Sequence, residues 1–291
     1  MAAALFLIAG LSLPGCLAHH EAPRNPTFYS SLELPTGKVR YFDRGEGEAI
    51  VLLHGFGGAI ESWEQTVDAL PKDRRILAMD ARGFGLSTRA EGDYSLKALA
   101  NDVNFAMESL GIEKASIVGH SWGSAVALVL ALEHPERVER LVLVDGLAYE
   151  KQVPWSIKAA RRSGLGELIV GTFYTAQLDA RLEKGFFDPS RLSYDEVASV
   201  RYKLEAPGSR AAALAISRGV DLEAWQPRYS EIEVPTMIVW GKQDRVLSPW
   251  WAGRLATDLT QARVETLDRC GHFPMIEAPR RFAALLEDFI Q

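Results

Sequence analysis

Cysteine is scarce in this chain: Cys16 and Cys270 are the only two among 291 residues. A single distant pair builds no disulfide framework. Basic charge is also in deficit. Lys and Arg number 32 against 38 Asp and Glu, giving a net charge of −6, so the basic face that a nucleic-acid partner needs is missing. The apolar run at residues 2–13 is too short to cross a bilayer. There is no sustained internal repeat and no low-complexity tract, which argues against a solenoid or a long flexible linker.

A hydrophobic content of 47% and a charged content of 24% suit a globular protein with a large core, in one large domain or two small ones. The N-terminal run is a different element. Its length matches the core of a signal peptide at residues 1–18. Gly15-Cys16 within it is similar to the lipobox of bacterial lipoproteins, where the cysteine is lipidated. Two features depart from that pattern: no Lys or Arg precedes the run, and Pro14 stands beside the small residue. Cleavage after Ala18 is the rival. Residues 19–27 then read as a polar tether. The expectation is export to a bacterial cell envelope, either periplasmic or membrane-attached through lipidated Cys16.

Residues 28–34, the turn Pro35-Thr36-Gly37 and residues 38–42 predict an antiparallel hairpin. Continuous apolar runs at 49–53, 75–79, 115–118, 138–144, 236–240 and 263–267 predict strands buried on both faces. Helices are expected at 60–70, 94–110 (Ser95 near its start, Gly111 at its end), 125–132, 250–259 and 279–290. Such alternation predicts a parallel sheet with helices on both faces. Between 146 and 229 the strand rhythm stops, and short amphipathic segments such as 155–162 and 211–218 alternate with Gly, Pro and Tyr. That block is expected to be an inserted helical cap over the sheet edge where strands end, leaving 28–145 and 230–291 as the core.

Within this frame Gly119-His120-Ser121-Trp122-Gly123 sits between an apolar strand and an apolar helix, the setting of a nucleophile elbow. The two glycines allow strand and helix to approach closely, and Ser121 can adopt a strained backbone at a helix N-terminus. A serine that transfers acyl groups needs a base, an orienter and oxyanion donors. The expected donors are the backbone N–H groups of Phe56, in His54-Gly55-Phe56-Gly57-Gly58, and of Trp122, the residue after the serine. The expected base is His272, in Cys270-Gly271-His272-Phe273-Pro274 between the last strand and the last helix. His19 and His20 fall in the tether, His120 points off the elbow, His134 ends a helix, and His54 reads as a structural loop residue. Asp244, after the strand at 236–240, is the expected orienter, with Asp145, after the strand at 138–144, as the alternative acid. Asp80, beside Arg82-Gly83-x-Gly85, reads as the centre of a hydrogen-bonded turn. Cys270 reads as a small buried residue shaping the histidine loop.

Taken in order, His54-Gly55, Asp80-x-Arg82-Gly83-x-Gly85-x-Ser87, Gly119-x-Ser121-x-Gly123, Gly241-x-x-Asp244 and Gly271-His272 resemble the α/β-hydrolase family over residues 39–291. The resemblance implies an α/β fold, with an eight-stranded, mostly parallel sheet, helices on both faces and a helical cap over the nucleophile. It also implies neither metal nor organic cofactor. The order Ser, Asp, His is the family's. Haloalkane dehalogenases and epoxide hydrolases of this fold carry aspartate at the elbow, where this chain has Ser121. Proline iminopeptidases share Ser-Trp-Gly but usually carry His-Gly-Gly-Pro-Gly, where this chain has His54-Gly55-Phe56-Gly57-Gly58. Carbon–carbon hydrolases of aromatic degradation are similar in layout.

The expected activity is hydrolysis of a small or medium, largely apolar ester through an acyl-enzyme on Ser121. The alternatives are a carbon–carbon or aminoacyl amide hydrolase, and a binding protein that has lost turnover. Trp63, Trp122, Trp155, Phe186 and Phe273 are candidates for substrate selection, each with ordinary core packing as the competing role.

Overall fold

Eight strands line up in one sheet: β1 Ser30–Leu34, β2 Gly37–Arg44, β3 Ala49–Leu53, β4 Arg75–Met79, β5 Ala115–His120, β6 Val138–Val144, β7 Thr236–Gly241 and β8 Ala262–Leu267. The structure is a computed structural model that describes residues 29–176 and 178–291. The signal peptide, Cys16 and tether assignments lie outside those residues. The strand order is β1-β2-β4-β3-β5-β6-β7-β8. β2 is antiparallel to both β1 and β4, and every other pairing is parallel. Each run of apolar residues sorts its side chains by alternation. Val51, Leu53, Ile117, Leu141 and Leu143 enter one core, while Ile50, Leu52, Val118, Val142 and Val144 enter the other.

The helices are α1 Glu64–Ala69, α2 Leu96–Ser109, α3 Trp122–Glu133, α4 Trp155–Ala160, α5 Leu165–Phe173, α6 Leu178–Gly185, α7 Tyr194–Glu205, α8 Ser209–Gly219, α9 Trp250–Asp258, α10 Pro274–Glu277 and α11 Pro279–Ile290. α2, α3 and α9 cover one face of the sheet, and α1, α10 and α11 cover the other. The helical stripe expected from residue 94 begins at Leu96, because the Ser95 hydroxyl caps it by accepting from the Ala98 N–H at 3.2 Å. The helix expected over 60–70 divides into a 3₁₀ turn, Ile60–Trp63, and the short α1. The elbow helix starts three residues earlier than its apolar run, since Gly123 and Ser124 are buried inside its first turn. Helices α4–α8 fill the chain between β6 and β7, and α5, α6 and α7 add to the two segments legible by periodicity. Among the described residues no helix is long and apolar enough to cross a membrane.

Candidate active site

Ser121 stands at the junction of β5 and α3 with φ 50° and ψ −117°. A serine avoids that region unless its neighbours enforce it. The neighbours do so here. The Ser121 N–H donates to Val144 O at 2.9 Å, and its carbonyl accepts from Leu147 N and Ser124 N, both at 3.0 Å. Close approach does the rest. A Cβ on Gly123 would lie 2.5 Å from Leu53 O, and one on Gly119 would lie 2.5 Å from Gly123 O. Residues larger than glycine would push the helix off the sheet.

The loop after β3 lies against this elbow: a Cβ on Gly55 would come within 3.3 Å of the Ser121 Cβ. Trp122 is the first residue of α3, so its N–H has no intrahelical acceptor. Among the described residues no acceptor takes the Phe56 N–H either. The two donors expected for an oxyanion are thus both free, one in the loop that lies against the elbow and one directly after the serine.

His272 and Asp244 come together at the same edge. His272 Nδ1 meets Asp244 Oδ2 at 2.8 Å, with both side chains buried. Asp244 Oδ1 accepts from the Val246 and Leu247 N–H groups at 2.7 and 3.0 Å. These bonds fix the carboxylate in its loop. Nδ1–H of His272 is therefore the donor to Asp244, which leaves Nε2 free. Asp145, the alternative acid, does not take this position. Its Oδ1 accepts from the Gly241 N–H at 3.0 Å, its Oδ2 has no partner, and the side chain is wholly buried. Burial, and then the neighbouring charge of Asp244, hold its carboxyl well above the usual range. One donor atom each from Asp145, Asp244 and His272 falls within 4.8 Å of the others. Nδ1 of His272 is already committed to Asp244.

Two further histidines buttress the site. His120 is buried, with Nε2 donating to the His272 carbonyl at 2.8 Å. Burial, with His272 alongside, depresses its basicity well below the usual value. It therefore turns inward against the histidine loop, where the sequence reading had it pointing off the elbow. His54 Nε2 accepts from the Ala81 N–H at 3.0 Å, which leaves Nδ1–H to donate to Gly55 O at 2.7 Å. Both ring nitrogens are spent on backbone, the structural role expected. Asp80 is also the turn centre expected: it accepts from Ile60 N, Leu86 N and Arg40 Nε. Cys270 is fully buried beside the loop, and burial raises its thiol pKa.

The aromatic candidates separate. Phe273 meets the His272 ring at 5.3 Å and so flanks the base, and Phe186 packs behind it with ring centroids 4.9 Å apart. Trp63 and Trp122 do not line it through their rings. Trp63 packs on Phe282 and His120, and Trp122 on Phe84, as their size and apolarity favour deep burial. Trp155 is 77% exposed at the start of α4.

Sequence reasoning missed a set of polar residues that join α4–α8 to the core. Lys203 Nζ pairs with Glu61 at 2.9 Å, and Glu61 is held bidentately by Arg40. Burial pushes the Glu61 carboxyl up, but Arg40 and Lys203 outweigh it and hold it down at about 2. Arg89 donates to Ser87 O and Gly85 O in the core and to Lys203 O and Ser209 Oγ above it. Glu277 bonds both the histidine loop and Phe187. Its one legible signal was a lone acid among apolar neighbours and prolines, Met275-Ile276-Glu277-Ala278-Pro279.

Residues 48–279 match the family described as alpha/beta hydrolase fold. Among curated proteins, the 2-hydroxymuconate semialdehyde hydrolase of Pseudomonas putida is 32% identical over 265 residues, covering 87% of this chain and 90% of that one. Monoacylglycerol lipase abhd6-A of Xenopus laevis is 30% identical over 257 residues, covering 84% and 76%. A solved meta-cleavage product hydrolase from Pseudomonas fluorescens IP01 superposes with a TM-score of 0.77 at 29% identity, covering 90% of this chain and 97% of that one.

Proposed function

We propose that this chain, which belongs to the α/β-hydrolase family, is a serine hydrolase of small or medium, largely apolar carboxylic esters. The observation that carries the reading is the 2.8 Å pairing of His272 Nδ1 with Asp244, at the same sheet edge as a strained Ser121. Asp244 holds the imidazole in the tautomer whose Nε2 is free to take a proton. Ser121 Oγ attacks the ester carbonyl and passes its proton to that nitrogen. The oxyanion forms against the N–H groups of Phe56 and Trp122, at a helix N-terminus that favours negative charge. The alcohol leaves with the proton from His272, and water repeats the sequence on the acyl-enzyme. Apolar Phe186 and Phe273 suit an apolar acyl or alcohol group.

The preference for an uncharged substrate has a second support. Cations around the seam between core and helical block are engaged within the protein: Lys203 by Glu61, Arg89 by carbonyls and Ser209, and Arg191 by the Glu277 carbonyl. A carbon–carbon hydrolase is the second reading. It is favoured by the likeness to 2-hydroxymuconate semialdehyde hydrolase, and Ser121, His272 and Asp244 would serve it equally.

The test is turnover of p-nitrophenyl esters of graded acyl length beside a 2-hydroxy-6-oxo-dienoate, for wild type and Ser121→Ala, with fluorophosphonate labelling and peptide mapping. Ester turnover lost in Ser121→Ala, with the adduct on Ser121, supports the first reading. Turnover of the dienoate alone moves the assignment to the second. A folded protein that turns over neither and takes no label overturns both.

A further inference from the structure

The loop that carries His272 is sewn to the end of α6 and the residues just after it. The His272 N–H donates to Gly185 O at 2.6 Å. Glu277, at the end of α10, makes the other two links. Its Oε1 accepts from the Gly271 N–H at 2.8 Å and its Oε2 from the Phe187 N–H at 2.7 Å. One carboxylate thus holds the residue before His272 with one oxygen and the helical block with the other. The Glu277 carbonyl adds a bond from Arg191 Nη1 at 2.8 Å, again from that block. Glu277 is 5% exposed, and a carboxylate so buried is costly unless both oxygens are bonded. Here both are bonded to backbone donors whose positions the main chain fixes.

The two segments also touch closely. A Cβ on Gly271 would sit 2.2 Å from Gly185 O and 2.7 Å from Phe187 N. The His272 carbonyl is taken by His120 and its Nδ1 by Asp244. Its N–H is held by Gly185 and the preceding residue by Glu277. Apart from Nε2, every polar group of His272 is anchored, and the anchors on the N–H side depend on the helical block.

We propose that Glu277 is a positioning residue that makes the alignment of His272 depend on the docking of Gly185–Phe187. This rests on His272 being the base of a serine hydrolase. If the segment lifts, Glu277 loses one donor, and the histidine loop loses the Gly185 carbonyl at the same time. The base is then aligned only while this corner is closed.

The experiment compares Glu277→Gln and Glu277→Asp with wild type, in the full chain. Glutamine keeps the size but turns an NH₂ group towards one of the two N–H donors. Aspartate keeps the charge but is too short to reach both. The readouts are kcat and KM for p-nitrophenyl butyrate, melting temperature, and the downfield proton resonance of His272 Nδ1–H. For Glu277→Gln the expected result is a fall in kcat of about ten- to a hundredfold, little change in KM, and a broadened or lost resonance. Glu277→Asp should recover part of each. A variant that melts earlier yet keeps wild-type kcat and the resonance overturns the proposal. If Glu277→Gln does not fold, the same outcome for Glu277→Asp overturns it. If wild type hydrolyses no ester, the resonance still decides: its loss in Glu277→Gln upholds the clamp while the ester reading falls.

Discussion

Oxygens of Asp145 and Asp244 lie within 4.8 Å of one another at the ends of neighbouring strands β6 and β7, and one of the two acids holds His272. Two buried carboxylates this close disfavour being charged together. Asp244 has two backbone donors and an imidazole to stabilise its charge; Asp145 has one backbone donor and an unpartnered oxygen. Asp145→Asn, which mimics a protonated acid, should therefore keep turnover within a few-fold of wild type. Asp244→Asn should lose on the order of 10³- to 10⁴-fold in kcat, because it favours the wrong tautomer of His272. Equal losses in the two variants, measured on one ester, would reverse the assignment of roles.

Stability should respond to Asp145 in a direction opposite to that of a salt-bridged acid. Its folded pKa lies above the ordinary 3.8, so the folded chain keeps a proton that the unfolded chain gives up. Stability from this group is fully present below about 3.8 and declines as pH rises through its folded value. The slope cannot exceed roughly 1.4 kcal/mol per pH unit. Asp145→Asn removes the titration, so it should gain on wild type as pH rises above about 4 in thermal melts. A wild type that gains on the variant over that range would contradict the burial argument.

The elbow offers a steric prediction. In Gly123→Ala the added methyl would face Leu53 O at 2.5 Å and His54 O at 2.6 Å, both backbone atoms with no room to move. The end of β3 and the loop after it would have to shift. We expect a loss of about 2–4 kcal/mol, comparable with severe overpacking, and turnover reduced even in the folded fraction. Urea unfolding monitored by tryptophan fluorescence gives the first number. An alanine variant of wild-type stability would mean that the elbow is looser than its contacts indicate.

The sequence made the sheet and the elbow readable because their signals are local. Continuous apolar runs mark strands buried on both faces, and Gly119, Ser121 and Gly123 mark a turn whose geometry depends on missing Cβ atoms. His272 and Asp244 were legible from their places after strands. Local signals do not reveal what a side chain meets far along the chain. His120 looked like a residue leaving the elbow, yet its partner, the His272 carbonyl, lies 152 residues away. For Trp63 and Trp122 the sequence leaves pocket lining and core packing open, and contact with Phe282 and Phe84 decides for the cores. Lys203, in an amphipathic helix, and Arg89, in a loop, gave almost no signal, since charged residues in such places usually face water, and Glu277 gave only its place among apolar neighbours. Their roles come from the closure of α4–α8 on the sheet.

That closure should have a measurable electrostatic component. Lys203 and Glu61 are largely buried, at 5% and 20% side-chain exposure, and Arg40 holds Glu61 from the core side. Removing Lys203 leaves Glu61 with Arg40, whereas removing the Glu61 charge leaves Lys203 without its acid. Glu61→Gln should therefore cost more, about 3–5 kcal/mol for a broken buried pair, than Lys203→Met. Leu204, next to Lys203, lies over Gly57, the residue after the proposed oxyanion donor Phe56, so both variants should lower kcat as well as raise KM. The pH sign follows from the Glu61 carboxyl being held at about 2 instead of 4.5. Its contribution is complete above about 4.5 and is lost as pH falls through about 2. The stability gap between wild type and Glu61→Gln should be flat from pH 5 to 8 and shrink below that range. A gap that instead widens on acidification would show that Glu61 is not the charged anchor of this corner, and the hold of the helical block on the core would have to come from Arg89 and Glu277.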